Sequence, residues 1–135
     1  MNILIVEDEA ITAMCIAWAI EDMGHVVHGP VPTAREALAL AAGTKAVDLA
    51  MLNADLADGR GAGLALAHTL QSQWGVSSML VSGSADAAAA CDAAVAYLAK
   101  PCSIDSIEQS VAIVLAVLGG RPPPPRLPRG LHLFA

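Results

Sequence analysis

The chain has 135 residues, a formal net charge of −6, 56% hydrophobic residues and only 3% aromatic ones. That length suits a single domain able to bury a core without disulfides or metals. The acidic balance argues against a nucleic-acid groove, which needs a basic face, and no run of about 18 apolar residues is present to span a membrane. Alanine supplies 28 of the residues, so Leu, Ile, Val and Met must build the core with Ala as filler. Met1-Asn2-Ile3 carries no basic n-region, so no secretory leader is expected. Cys15, Cys91 and Cys102, odd in number and unpatterned, read as thiols in a reducing cytoplasm. The charge is uneven: residues 1–118 hold all 13 acids and four bases, and residues 119–135 hold three arginines and no acid.

Asn2-Ile-Leu-Ile-Val6 is a short β-branched run that fits a strand buried on both faces, and it ends abruptly in Glu7-Asp8-Glu9. Ala10 to Met23 reads as a helix closed by Gly24. Its core stripe falls at 10, 13, 17 and 20 or at 13, 16, 20 and 23, and either leaves Trp18 toward solvent. Val26–Gly29 is a second strand, and Thr33-Ala-Arg-Glu36 is a capping box opening a helix to about Ala42. Asp48–Leu52 is a third strand, Asp58-Gly59-Arg60-Gly61 a turn, and residues 62–74 a helix. Ser78–Val81 and Val95–Leu98 are strands four and five, with an Ala-rich stretch between them. Ser103 N-caps a last helix with apolar positions 104, 107, 111, 114, 115 and 118. About five βα repeats predict a parallel sheet with helices on both faces and right-handed crossovers. After Gly119-Gly120, four consecutive prolines break the helix, and residues 119–135 are expected to be a disordered or polyproline II tail.

Ligands of an open α/β sheet sit beyond the carboxyl ends of its strands. There the sequence places Glu7 and Asp8 after strand one, Asn53 and Asp55 after strand three, Ser82 after strand four, and Lys100-Pro101 after strand five, with Tyr97 three residues before the lysine. Acids on that edge suit a hard cation such as Mg²⁺. A hydroxyl and an ammonium beside the cation suit phosphoryl oxygens.

Four stretches, Ile3-Leu-Ile-Val-Glu-Asp-Glu9, Asp48-Leu-Ala-Met-Leu-Asn-Ala-Asp-Leu-Ala-Asp-Gly59, Leu80-Val-Ser-Gly83 and Tyr97-Leu-Ala-Lys-Pro101, resemble the receiver domain of two-component response regulators over residues 2–118. The resemblance implies a flavodoxin-like (βα)5 fold with a doubly wound five-stranded parallel sheet in the order 2-1-3-4-5. It implies Mg²⁺ held by Glu7, Asp8, the residue at 53 and the backbone carbonyl of Asp55. Ser82 and Lys100 would contact the phosphoryl group, Tyr97 would change rotamer on activation, and the peptide bond to Pro101 would be cis. It further implies a non-enzymatic cytoplasmic signalling protein whose partner is a histidine kinase or histidine-phosphotransfer protein, with a homodimer compatible. Trp18 would lie on the helix where such partners dock.

One position departs from the pattern. The family's phosphoacceptor is an aspartate, and here it is Asn53. A carboxylate attacks phosphorus and becomes an acyl phosphate, whereas a neutral amide is a poor nucleophile. Losing that negative charge should also weaken Mg²⁺, and Lys100 loses its carboxylate partner. The substitution fits a degenerate receiver or a silencing exchange equally. A second departure is the short spacing from Ser82 to Lys100, which resembles a subgroup of stand-alone receivers whose fourth helix is short or a loop, here residues 85–94. The rival readings are a phosphorylation-independent adaptor or dimerisation module and a small α/β phosphatase. The phosphatase would need a second Asp two residues beyond the first, and Glu9 and Ala10 stand there.

Overall fold

In the computed structural model, residues 1–44, 46–83 and 92–134 are described. The strands are β1 (Asn2–Val6), β2 (Val26–Val31), β3 (Leu49–Leu52), β4 (Ser78–Ser82), β5 (Ala94–Ala99) and β6 (Leu131–Leu133). The helices are α1 (Ala10–Asp22), α2 (Ala34–Gly43), α3 (Ala62–Trp74) and α4 (Ile104–Leu118). The sheet order is β2-β1-β3-β4-β5-β6, parallel throughout except for the antiparallel β5–β6 pair. The order 2-1-3-4-5 of the doubly wound flavodoxin-like architecture is therefore present, with one strand added. The short helix or loop expected at 85–94 lies outside the described residues except for its last three positions, of which Ala94 begins β5.

Strand alternation sorts the core into two layers. Ile3, Ile5, Leu49, Met51, Met79, Val81, Ala96 and Leu98 face α1 and α4, meeting Ile16, Ala17, Ile20, Ile107, Val111 and Val114. Leu4, Val6, Ala50, Leu52, Leu80 and Tyr97 face α2 and α3, meeting Ala37, Ala41, Leu66, Ala67 and Leu70. The two buried side chains of α2 are Ala37 and Ala41, and alanines of α1, α3, β3 and β5 fill the core in the same way. On α4 the expected stripe is shifted: Ile104 and Leu118 are exposed, and Ile107, Ser110, Val111 and Val114 are buried. Ser103 caps α4 by accepting the Ser106 N–H at 3.1 Å, and Thr33 caps α2 by accepting the Glu36 N–H at 3.1 Å.

The tail departs from the expectation of disorder. Its last residues form β6, in register Ala96↔Leu133, Tyr97↔His132 and Leu98↔Leu131. Leu131 is buried in the layer shared with α1 and α4, and Leu133 packs against that layer. Phe134 packs against the opposite layer and donates its N–H to the Val95 carbonyl at 2.9 Å. A three-residue strand has too little sequence signal to register. It forms because β5 offers a full row of backbone donors and acceptors that would otherwise be an open edge.

The turn at Asp58-Gly59 also proves to have a partner. Asp58 Oδ1 accepts the Ala34 N–H at 3.1 Å and Oδ2 the Arg35 N–H at 3.2 Å, so an acid after β3 caps the first turn of α2. The Ala34 and Arg35 N–H groups hold its carboxyl below the usual 3.8. A depressed carboxylate stabilises the fold above its ordinary value, and this contribution fades as pH falls through the lowered one. Asp58→Ala should therefore cost about 0.5–1 kcal/mol at pH 7, the scale of an exposed helix cap. Urea unfolding should show that cost shrinking toward pH 3, and an equal cost at both pH values would contradict the capping role.

Candidate functional site

The carboxyl ends of β1, β3, β4 and β5 bring together Glu7, Asp8, Asn53, Ser82 and Lys100. Strand β1 is buried on both faces through Val6, so Glu7 starts inside the protein and is only 4% exposed, while Asp8 and Glu9 reach solvent. Asn53 follows directly on β3, where its N–H bonds the Val6 carbonyl at 3.0 Å. Gly63, in the first turn of α3, presses against this point. It donates its N–H to the Ala54 carbonyl at 2.9 Å, and a Cβ there would overlap the Asn53 carbonyl oxygen. That close approach requires glycine.

The side chain of Asn53 bridges two oxygens. Its Nδ2 donates to Asp8 Oδ1 at 3.2 Å and to the Asp55 backbone carbonyl at 2.7 Å. A carboxylate and a carbonyl only accept, so the chemistry fixes which end of the amide faces them. The Asp55 carboxylate points elsewhere and accepts the Gly61 N–H at 2.7 Å. Lys100 reaches Glu7 instead of position 53, with Nζ donating to Oε1 at 2.8 Å. Burial raises the Glu7 carboxyl above its usual 4.5, and the Lys100 hydrogen bond and charge offset part of that rise.

Tyr97 is buried, and its hydroxyl donates to the Ser82 carbonyl at 2.9 Å. The Lys100 N–H donates to the same carbonyl at 3.0 Å. The Lys100–Pro101 bond is cis, as the resemblance implies, and so is Gly29–Pro30. Trp18 is 61% exposed on α1, away from these groups. All the candidate residues except Asp55's carboxylate and Trp18 thus converge on one end of the sheet.

A family model of the response regulator receiver domain matches residues 3–112. The chain belongs to the response regulator receiver domain family. Among solved structures, this receiver is similar to a CheY-like receiver domain protein from Methanospirillum hungatei JF-1, at 24% identity and TM-score 0.77 over 88% of this chain and 96% of that one. It is also similar to the receiver domain of NtrX from Brucella abortus, at 26% identity and TM-score 0.72 over 87% of this chain and 98% of that one. A third similar structure is the signal receiver domain of a modulated diguanylate cyclase from Desulfovibrio desulfuricans G20, at 23% identity and TM-score 0.75 over 87% and 95%. No curated protein matches the chain.

Receiver domains generally bind Mg²⁺ at this acidic edge. The donor set of this receiver does not fit the ion as it stands. An N–H group cannot ligate a cation, and Asn53 turns two N–H bonds onto the Asp8 carboxylate and the Asp55 carbonyl. Glu7 is committed to Lys100. Among the described residues no cluster of three or more His, Cys, Asp or Glu side chains is arranged to hold a metal.

Reading the sequence alone misses the Glu7–Lys100 pair. It assigns Lys100 to position 53 and Glu7 to the metal, and the only signal for their pairing is the missing acid at 53. The pair has a pH signature. An acid with a raised value gives its stabilisation fully below 4.5 and loses it as pH climbs through the raised value. Lys100→Met strands the Glu7 carboxylate and lifts that value further. We expect the variant to be less stable by about 1–3 kcal/mol at pH 8, with most of the difference gone at pH 5. Urea midpoints at the two pH values measure this, and a pH-independent loss would show that the ion pair is not its source.

Proposed function

We propose that this receiver signals by contact with a histidine kinase or histidine-phosphotransfer protein and is not phosphorylated at position 53. The observation that carries the reading is Asn53 at the carboxyl end of β3, its amide nitrogen engaged by Asp8 and Asp55. The amide offers no carboxylate nucleophile, and its N–H groups face the acceptors that would serve a metal. Mg²⁺ binding is accordingly weakened rather than assisted by this site.

The solvent face of α1 supports a partner helix. Ile11, Met14 and Trp18 are 76%, 48% and 61% exposed. They follow the i, i+3, i+7 spacing of one apolar stripe. Large exposed side chains on one stripe, with an aromatic among them, suit an interface anchor. A second reading, a phosphorylation-independent adaptor, is favoured by the same internal hydrogen bonding of the acids, because it leaves the pocket assembled without an ion.

A phosphodonor experiment tests the reading. With Mg²⁺ and a small acyl phosphate, the chain should gain no mass, and Asn53→Asp should gain one phosphoryl group by mass spectrometry. Asn53→Asp should also bind Mg²⁺ at least about tenfold more tightly, a difference of about 1.4 kcal/mol. A stable phosphoryl group mapped to Asp55 of the unaltered chain would overturn the proposal. Binding of Mg²⁺ to the unaltered chain as tight as to Asn53→Asp would do the same for the weakened metal site.

A further inference from the structure

The carboxy-terminal strand does more than close an edge. Gly130 accepts the Ala99 N–H at 2.9 Å, one residue before Lys100. His132 stacks on Tyr97 with ring centroids 5.8 Å apart and an interplanar angle of 21°. Tyr97 in turn bonds the Ser82 carbonyl, which also receives the Lys100 N–H. One unbroken set of contacts thus runs from β6 through the Tyr97 ring to the ends of β4 and β5, where the site sits. The segment that carries β6 is joined to α4 through exposed Gly119–Leu127. Among the described residues, the loop backbone bonds of that connection stop at Arg121 and resume at Pro128, whose carbonyl accepts the Leu131 N–H. The strand itself is anchored by one fully buried side chain, Leu131 at 4% exposure.

We propose that Gly130–Phe134 is a regulatory strap: docked on β5, it holds Tyr97 in its bond to Ser82, and its release frees both the β5 edge and the Tyr97 ring. A short strand on a polar, proline-rich connection belongs to the low-stability end of a fold, where local opening occurs without global unfolding. The tether keeps the strand at high effective concentration, so docking is the resting state. Anything that takes the β5 edge must displace the strap and therefore reaches the site through Tyr97. The contact set does not involve Asn53, so the inference stands apart from the phosphorylation reading.

The chain contains a single tyrosine, so its ring signals in an NMR spectrum report Tyr97 alone. In the full chain, Leu131→Asp should release the strap. The expected results are amide exchange at Ala99 about tenfold faster or more, shifted Tyr97 ring signals, and a shifted Lys100 amide. Adding a peptide of the sequence Pro128–Ala135 in excess should move the ring signals back. Unchanged exchange at Ala99 with the fold intact, or Tyr97 and Lys100 signals that stay put once the strand has left, would overturn the proposal. Should Leu131→Asp unfold the chain, His132→Ala decides the matter, because that side chain is exposed and outside the core. It must shift both the Tyr97 ring and the Lys100 amide, and a shift in neither overturns the coupling.

Discussion

A single side-chain amide sets the character of the site. In a receiver edge built of acids, mutual repulsion has to be relieved by a cation or by donors from the protein. Here Asn53 supplies two N–H bonds and Lys100 supplies a charge, so Asp8, the Asp55 carbonyl and Glu7 each have a partner within the chain. The neutral amide removes one negative charge and adds donors in the same stroke. The consequence spreads outward: Lys100, with no carboxylate at 53, turns to the one acid that burial has made costly. Glu7 at 4% exposure needs that partner more than solvent-facing Asp8 does.

The fold makes this arrangement stiff. Asn53 leaves β3 at the point where Gly63 of α3 touches its backbone, so the residue has little freedom to withdraw. Asp58, five residues on, ties the same loop to the start of α2. The loop after β3 is therefore pinned where it leaves the strand, by a close backbone approach, and midway along, by a helix cap. The Asp55 carboxylate closes it internally on Gly61. A donor pair held this rigidly keeps its geometry without being assembled by a ligand.

Much of the architecture was legible because buried parallel strands write uninterrupted apolar runs. Ile3–Val6 and Leu49–Leu52 could be read directly, as could the caps at Thr33 and Ser103. The convergence of Glu7, Asp8, Asn53, Ser82 and Lys100 followed from strand ends alone. What escaped were interactions whose partners lie far apart in sequence and whose residue types are ordinary. Glu7 and Lys100 are 93 positions apart, and nothing local says that an acid read as a metal ligand will take a lysine. Asp58 looked like a turn residue and Gly63 like an ordinary position near the start of a helix, and only packing shows what each touches. On α4, Ile107, Val111 and Val114 are buried as the apolar stripe predicts, but Ile104 and Leu118 lie exposed at the two ends of the helix, and Ser110, a residue with no apolar signal, is buried beside them.

The two edges of the sheet show why the tail is a strand. An open edge of parallel strands is a template for pairing with another chain. On one side, β2 is irregular: its register against β1 shifts between Leu4 and Val6, and it carries Gly29-Pro30, where proline offers no donor. On the other side, β5 runs Ala-Val-Ala-Tyr-Leu-Ala, six residues of apolar and small side chains with no charge or proline to guard it. Such a strand would be the hazard of the fold if left bare. The chain covers it with three residues of its own, which run antiparallel because the proline-rich connection carries the polypeptide from the far end of α4, beside Met1 and His25, back to the carboxyl end of β5, where Gly130 meets Ala99. The four prolines that precede them cannot add ladder bonds, so pairing begins only once the chain has passed them, at the segment where Leu131 can enter the core and His132 can meet Tyr97. The residues that end the helix and those that close the sheet are thus parts of one solution, and the price of that closure is a short strand whose hold on β5 is weaker than that of its neighbours.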